Sequence, residues 1–337
     1  FLMMATCKFI ILIAFRSFVL SSVHISSFSA FVAPRSAFRD IQEKISFHFS
    51  REKKASTGLR FKLSDVVDDA ESSSLRSSVQ VELQSIIEQG PVPAADRNFL
   101  INGWRWHTKS VLRDINRFSN IVDETIKNLR ITSSASKTKL SKDSTKFQKD
   151  QIVNCFNFVI NFNWKALMRV EREIFFPWLQ ELLPYAATPL IEDILTQHKT
   201  INKLSNEIGT LCNSLRQDID SKDIAATEMK LQAVLDNLAQ ARGCAIAIQR
   251  AQESIFVPYI EAFVNKRDQE VFNRRVISRL GLLDAQVHLV SMVEAIKDTP
   301  DEMNKFKQQI PRIAQMMIPL WRKRLYLPKT ECLNTSI

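Results

Sequence analysis

Apolar residues recur at every third or fourth position over most of the chain, the spacing of an amphipathic helix. Gly90 and Pro91 end the first such segment. Residues 131–149 hold almost no apolar side chains and predict a flexible loop. The pattern predicts five helices, over 73–88, 96–130, 150–183, 189–217 and 222–257, and one or two more, over 261–297 and 301–323.

The helices between residues 96 and 257 are predicted to pack as antiparallel neighbours, because the connections at 184–188 and 218–222 are short. The natural packing is an all-α, up-down four-helix bundle. Two apolar stripes are expected to face its core: Leu100, Trp104, Val111, Ile115, Phe118, Val122, Ile126 and Leu129 on one helix, and Ile191, Ile194, Ile201, Ile208, Leu211 and Leu215 on another.

Glycine usage agrees with an all-α class. The chain has 6 glycines in 337 residues, and none is spaced as in a G-x-G-x-x-G turn or a P-loop. A nucleotide-binding α/β fold is therefore excluded. The predicted organisation is a signal peptide at 1–30, a transit peptide or disordered arm at 31–62, an N-terminal helix and linker at 63–95, the bundle at 96–260, and a C-terminal helical extension at 261–337.

The N-terminal segment has the features of a targeting sequence. A short apolar run at 9–15 suits a signal peptide and is too short to span a bilayer. A Ser-rich stretch then ends at Ala30-Phe31-Val32-Ala33-Pro34, and residues 31–62 are basic and poor in acids. This arrangement resembles the bipartite plastid presequences of diatoms and related algae, which implies import into a secondary plastid. The alternative is secretion, with 31–62 as a disordered arm.

Most of the net charge of +10 lies in that N-terminal segment. Residues 1–62 hold ten Lys or Arg and three Asp or Glu, whereas the remainder holds 36 and 33. The predicted folded part is close to neutral, so we expect no nucleic-acid partner. No transmembrane segment is predicted in the mature chain.

Two segments of the predicted bundle repeat each other. Glu171 to Leu179 reads EREIFFPWL, and Gln252 to Ile260 reads QESIFVPYI. An isolated histidine precedes the proline of each copy by 60 to 70 residues: His107 lies before Pro177, and His198 lies before Pro258. Such self-similarity indicates a repeated helix pair that cannot bury its apolar face alone.

These residues resemble a hemerythrin-like (HHE cation-binding) domain over roughly 96–260. That family is a four-helix bundle with a histidine on its first helix, a Glu…Phe-Pro pattern on its second, and a repeat of the pair on the third and fourth. The resemblance implies a non-haem di-iron centre between the helices, held by histidines and carboxylates.

Four residues match the ligand positions implied by the resemblance: His107, Glu171, His198 and Glu253. The chain differs from the family at three further positions. Leu167 and Asn202 stand where the family has histidine, and Gln249 occupies the turn before Glu253, where no histidine is near. Beyond residue 62 the only histidines are His107, His198 and His288, too few for the di-iron centre. The family's oxygen carriage is therefore excluded.

Two functions are compatible with this reduced set. The first is a single iron or zinc ion held by His107, Glu171, His198 and Glu253, for metal or redox sensing rather than catalysis. The second is a metal-free helical interaction or scaffold module, in which the same side chains hydrogen-bond across the bundle. An unknown protein partner is compatible with either function.

The remaining candidates predict little chemistry. The chain lacks G-x-S-x-G and H-E-x-x-H, so no catalytic residue is assigned. Cys155, Cys212, Cys244 and Cys332 fit no C-x-x-C pattern and are expected to be buried, reduced thiols. His288 is expected to be a core residue. The stretch from Ile310 to Leu327 combines apolar residues with Arg322-Lys323-Arg324, so it either packs back on the bundle or docks on a partner or an anionic membrane.

Overall fold

The computed structural model describes residues 87–134, 142–182, 188–217 and 223–334. Over these ranges the chain forms helices and no strand, which confirms the all-α class. The predicted presequence at 1–62, the helix predicted over 73–88 (apart from its last two residues) and the connection at 218–222 lie outside the described residues.

Eight helices, in the numbering used below, organise the described part of the chain. They are α1 (Asn102–Ser134), α2 (Lys142 to Leu182), α3 (Thr188–Gln217), α4 (Ile224–Phe263), α5 (Lys266–Leu280), α6 (Leu282–Ile296), α7 (Pro300–Gln309) and α8 (Arg312–Trp321). A π-helical turn (Arg322–Tyr326) and a last short helix (Leu327–Thr330) continue α8.

Helix α2 contains two π-helical stretches, Asn157–Trp164 and Glu171–Phe175. A π turn places its hydrogen bond between residues five apart instead of four, so each stretch adds a residue to the turn and rotates the residues after it about the helix axis. Asn163 and Glu171 belong to these stretches and are both buried. The two irregular stretches of α2 therefore carry the buried Asn163 and Glu171, while its third buried polar residue, Lys149, lies in the α-helical part before them.

Predicted boundaries are wrong at two places, and at Pro258 the reason is that burial continues past the expected end of the helix. Pro258 is expected to end a helix, yet α4 runs through it to Phe263. Proline within a helix costs about 3 kcal/mol, but Tyr259 and Ile260 are buried just beyond it, and burying each such side chain contributes about 1.5–3 kcal/mol. The loop predicted at 131–149 is also shorter, since α1 continues to Ser134 and α2 begins at Lys142.

The two C-terminal helices predicted from the pattern are each divided. The segment at 261–297 breaks at Asn265, whose side chain accepts a hydrogen bond from the Asp268 N–H (3.0 Å), and again at Gly281, whose φ is +77°. Glycine is needed there because side chains disfavour positive φ. The segment at 301–323 breaks before Pro311, which holds Ile310 in an extended conformation.

The core is built on the predicted stripes. Leu100 precedes α1 and is partly buried, and the residues of that stripe that lie on α1 are all buried. On α3 every residue of the stripe except Leu211 is buried, which confirms both faces. Helix α1 contacts α2, α4 and α6, and α3 contacts α2 and α4. The first four helices therefore close a ring of contacts in which each touches the next along the chain, and α6 covers α1 from outside.

The segment before α1 docks on the end of α4 through one close approach. The Val92 N–H donates a hydrogen bond to the Ala262 carbonyl (3.0 Å). A Cβ atom on Gly90 would lie 2.5 Å from that oxygen and 2.6 Å from the Ala262 Cβ. The contact requires glycine because any side chain would push the two backbones apart.

We expect Gly90→Ala to lower the free energy of unfolding by about 1–3 kcal/mol, the usual cost of overpacking, in urea titrations followed by circular dichroism. Gly243→Ala is the control, because Gly243 lies within α4 and a Cβ there would meet nothing within 4 Å. That change should stabilise by about 1 kcal/mol through helix propensity. A Gly90→Ala variant as stable as the wild type would show that the close approach is not needed.

Candidate functional site

A buried carboxylate, that of Glu171, lies where the first four helices meet. Its Oε1 accepts hydrogen bonds from the Trp104 Nε1–H (3.0 Å) and the Gln252 Nε2–H (2.8 Å). Its Oε2 lies 3.0 Å from Nε2 of His198. These four residues form the Glu171 cluster, and α1, α2, α3 and α4 each supply one of them.

The cluster keeps Glu171 ionised although the side chain is only 2% exposed. Burial by itself raises the pKa of Glu171, because it disfavours the charged form. The hydrogen bond and electrostatic interaction with His198, together with the hydrogen bonds from Trp104 and Gln252, outweigh burial and lower the pKa of Glu171 below its ordinary value. A buried carboxylate with three donors around it is a satisfied group.

Aromatic rings surround the cluster. The Phe175 ring lies 4.9 Å from that of Trp104, between centroids, and the Phe176 ring lies 5.9 Å from that of His198. Phe256 packs edge-on against both phenylalanines. Phe175 and Phe256, which occupy corresponding positions of the two sequence copies, thus pack together beside the cluster. These rings exclude water from the Glu171 carboxylate.

His107 belongs to a second buried group, on the side of α1 that faces α2 and α6. Its Nε2 lies 3.0 Å from Oδ1 of Asn163; an amide oxygen only accepts, so Nε2 carries the proton. The Asn163 Nδ2–H₂ donates to Oγ of Ser110 (3.1 Å) and to Oδ2 of Asp114 (3.0 Å). Burial is the main cause that lowers the pKa of His107 to about 4, so the ring is neutral near pH 7.

Asp114 anchors this second group, which we call the Asp114 network. It is fully buried and accepts hydrogen bonds from Arg113 (2.6 and 2.9 Å). Arg113 also donates to the hydroxyl of Tyr326 (2.8 Å) and to the backbone oxygen of Ser291 (3.3 Å). The network therefore connects α1 to α6 and to the π turn that continues α8.

His288 is buried, as expected of a core residue. Its ring stacks on Phe162 (4.6 Å between centroids, 6° between planes) and lies 4.7 Å from the His107 ring. Its Nδ1 has no hydrogen-bond partner among the described residues. Burial is the main cause that lowers the pKa of His288 well below its ordinary value.

Glu253 lies away from the Glu171 cluster. Its side chain is 33% exposed, pairs with Arg105 (3.4 Å) and accepts a hydrogen bond from Gln249 (3.2 Å). The neighbouring Gln252 faces the interior instead, and it is fully buried. The sequence repeat already indicates that Gln252, and not Glu253, corresponds to Glu171. Gln252 stands six residues before Pro258, as Glu171 does before Pro177.

Of the four sequence-derived ligands, the structure brings Glu171 and His198 into contact. His107 bonds to Asn163 and Glu253 to Arg105. Within the ranges described, no group of three or more His, Cys, Asp or Glu side chains has a geometry that could hold a metal ion. Sequence reasoning did not assign Gln252, Asn163 or Asp114 to these positions.

The four sequence-derived ligands are not arranged around one common metal position. Oε1 of Glu171 already accepts two N–H groups, and one of them belongs to Trp104, whose indole is a donor only. Nε2 of His107 carries a proton and points to an amide oxygen. A metal ion binds to free lone pairs of its ligand atoms. Those of Oε1 of Glu171 accept hydrogen bonds instead, and the protonated Nε2 of His107 has none to offer.

Comparison with known proteins found no matching family model, no matching curated protein and no matching solved structure. None of the described helices is by itself both long enough and apolar enough to cross a membrane; Lys266–Leu280 and Asp284–Ile296 meet those two criteria only jointly, as a pair bent by 118°.

We expect Glu171→Gln to lower the free energy of unfolding by about 2 kcal/mol near pH 7, because the charge-assisted hydrogen bonds are lost. The pKa of Glu171 is lowered by folding from its ordinary 4.5, so its contribution is complete above pH 4.5 and is lost as the pH falls through the folded value. The gap between variant and wild type, measured by urea unfolding, should therefore narrow below pH 4.5.

Glu253→Gln is the matched control, one residue from Gln252 and partly exposed. It should change the free energy of unfolding by less than about 0.5 kcal/mol at every pH. Equal effects of the two substitutions, or a gap for Glu171→Gln that does not vary with pH, would contradict the assignment of a buried, ionised Glu171.

Proposed function

We propose that this chain is a metal-free helical interaction module, in which α1 to α4 form an up-down bundle of the hemerythrin-like type. The observation that carries the proposal is the Glu171 cluster. Four helices each supply one side chain to it, and the three partners each make a hydrogen bond or ion pair to the carboxylate. The place of a metal ion is taken by indole, amide and imidazole groups.

The sequence repeat supports the bundle. Glu171 and Gln252, at matching positions of the two copies, bond to each other across α2 and α4 (2.8 Å). The ring of contacts from α1 through α2 and α3 to α4 and back is the arrangement that such a bundle requires. The two helix pairs thus meet at their corresponding polar residues.

The role that we assign to the polar core is to set the register of the helices. A buried carboxylate without its partners costs several kcal/mol, so shifting any one of the four helices along its axis would leave Glu171 under-satisfied. Apolar stripes alone tolerate such shifts far better. The result is a rigid body whose surface keeps a constant shape for a partner.

A single iron or zinc ion for metal or redox sensing is the second candidate. Oε2 of Glu171 and Nε2 of His198 lie 3.0 Å apart, which is compatible with two ligands of one ion at about 2.0–2.2 Å each. His107 and Glu253 would complete the set only after leaving Asn163 and Arg105. The metal-free function is preferred because it requires no such movement.

Elemental analysis distinguishes the two candidates. The full chain, prepared without a metal-binding tag, is loaded anaerobically with ferrous iron and separately with zinc, and excess ion is removed by gel filtration. We expect no stoichiometric metal, and no change in Tm on addition of a chelator. Stoichiometric metal in the wild type that is lost both in His107→Ala and in His198→Ala would overturn the metal-free proposal.

We also propose that the module works in a secondary plastid, on the basis of the presequence at 1–62, which lies outside the described residues. A fluorescent protein fused after residue 62 should accumulate in the plastid of a diatom. The matched fusion after residue 30 keeps only the predicted signal peptide and should stop in the secretory pathway. Secretion of both fusions would favour the alternative, a secreted protein with a basic arm.

A further inference from the structure

The C-terminal part of the fold carries a concentrated positive charge. Residues 305–330 contain seven Lys or Arg and no Asp or Glu, whereas acids and bases are nearly balanced over 63–337 as a whole. Helix α8 and its continuation occupy most of this segment. Five of the seven cations lie on α8 and its continuation, and the other two lie on α7.

One face of α8 holds it firmly on the body of the protein. Trp321 is buried, and Met317 and Ile318 pack against the main core. Just beyond, the hydroxyl of Tyr326 accepts a hydrogen bond from Arg113 (2.8 Å), and the Arg322 Nε–H donates to Glu294 (2.6 Å). The stretch from Ile310 to Leu327 is expected either to pack back on the bundle or to dock on a partner or membrane. Its inner face does pack on the preceding helices.

The opposite face of α8 is apolar and turned to solvent. Ile313 is 60% exposed and Met316 is 79% exposed, and the two lie one turn apart. Leu320 lies one turn further along and is half-buried. A helix on a water-exposed surface ordinarily has polar residues on its outer face, whereas the centre of α8 is apolar on both its inner and its outer face.

Cationic side chains border this apolar face at both ends. Arg312 is exposed at the start of α8, and Lys323 and Arg324 are exposed just after its end. Arg322 is neutralised by Glu294, but Lys323 and Arg324 form no ion pair with any residue that the structure describes. The face therefore combines large apolar groups with unpaired positive charge.

We propose that the outer face of α8 docks on an anionic membrane surface, with Ile313, Met316 and Leu320 at the boundary between headgroups and acyl chains. Interfacial helices have this composition, since their long basic side chains reach anionic headgroups while their apolar residues enter the boundary. An acidic protein surface would match the cations, but an apolar centre with cations at both ends and no acid matches a lipid surface better. The proposal rests on α8 alone and is independent of the polar core.

The test is co-flotation of the full chain with vesicles of phosphatidylcholine containing phosphatidylglycerol, compared with phosphatidylcholine alone. Ile313→Gln/Met316→Gln should weaken partitioning into anionic vesicles at least about tenfold, since two exposed apolar side chains no longer enter the boundary. Arg312→Gln/Lys323→Gln should weaken it by about fivefold per charge, and added salt should remove that effect.

The chain offers matched controls. Ile131→Gln/Met229→Gln replaces the same residue types at similar exposures, 63% and 71%, on α1 and α4. Lys199→Gln/Lys203→Gln removes two exposed positive charges from α3. Both controls should bind vesicles as the wild type does, and residues 1–62, which themselves carry charge and an apolar run, are identical in every variant.

Backbone hydrogen exchange shows whether α8 itself makes the contact. Residues 312–324 should become protected when anionic vesicles are added and should not when phosphatidylcholine vesicles are added. Unchanged exchange over 312–324, or equal partitioning of Ile313→Gln/Met316→Gln and its control, would overturn the proposal. Protection of 312–324 by polyglutamate and not by vesicles would also overturn it, and would indicate an acidic protein partner.

Discussion

The hydrogen-bond requirement of one buried carboxylate organises the centre of this protein. Glu171 is ionised within an aromatic surrounding, where a charge without partners would cost several kcal/mol. Its two oxygens are satisfied by Trp104, His198 and Gln252, each from a different helix. Apolar packing supplies most of the stability of such a core, but it constrains the positions of helices along their axes less strictly than this set of directed bonds does.

Helix α2 makes the arrangement possible through its departures from α-helical geometry. Its π stretches contain Asn163 and Glu171, which serve the Asp114 network and the Glu171 cluster respectively. The first network continues through Arg113 to Tyr326, so the same helix that satisfies the central carboxylate also connects α1 to the C-terminal segment. The outward apolar face of α8 is held in place at the far end of this chain of contacts.

The candidate site could be predicted in part. The resemblance and the isolated histidines point to Glu171 and His198, which meet at 3.0 Å. For the residue that α4 contributes to the site, the search for a metal ligand selects the carboxylate of Glu253. The spacing to the proline of the repeat selects Gln252 instead, six residues before Pro258. The partners of His107 could not be predicted from the sequence, because no motif distinguishes Asn163 or Ser110 from other polar residues. Asn163 meets α1 because it lies in a π stretch of α2, which turns its side chain toward His107 and Ser110.

The sequence by itself determined the helical class and the buried stripes of α1 and α3, because a repeat of three to four residues is a local property of the chain. Tertiary structure decided the rest. Helix α4 continues through Pro258 because burial of Tyr259 and Ile260 outweighs the cost of the proline. Tertiary packing also decided which of two adjacent polar residues, Gln252 or Glu253, is buried. It decided as well which of the two apolar sides of α8 is left in water. Those outcomes depend on neighbours distant in the chain, and a local pattern contains no information about them.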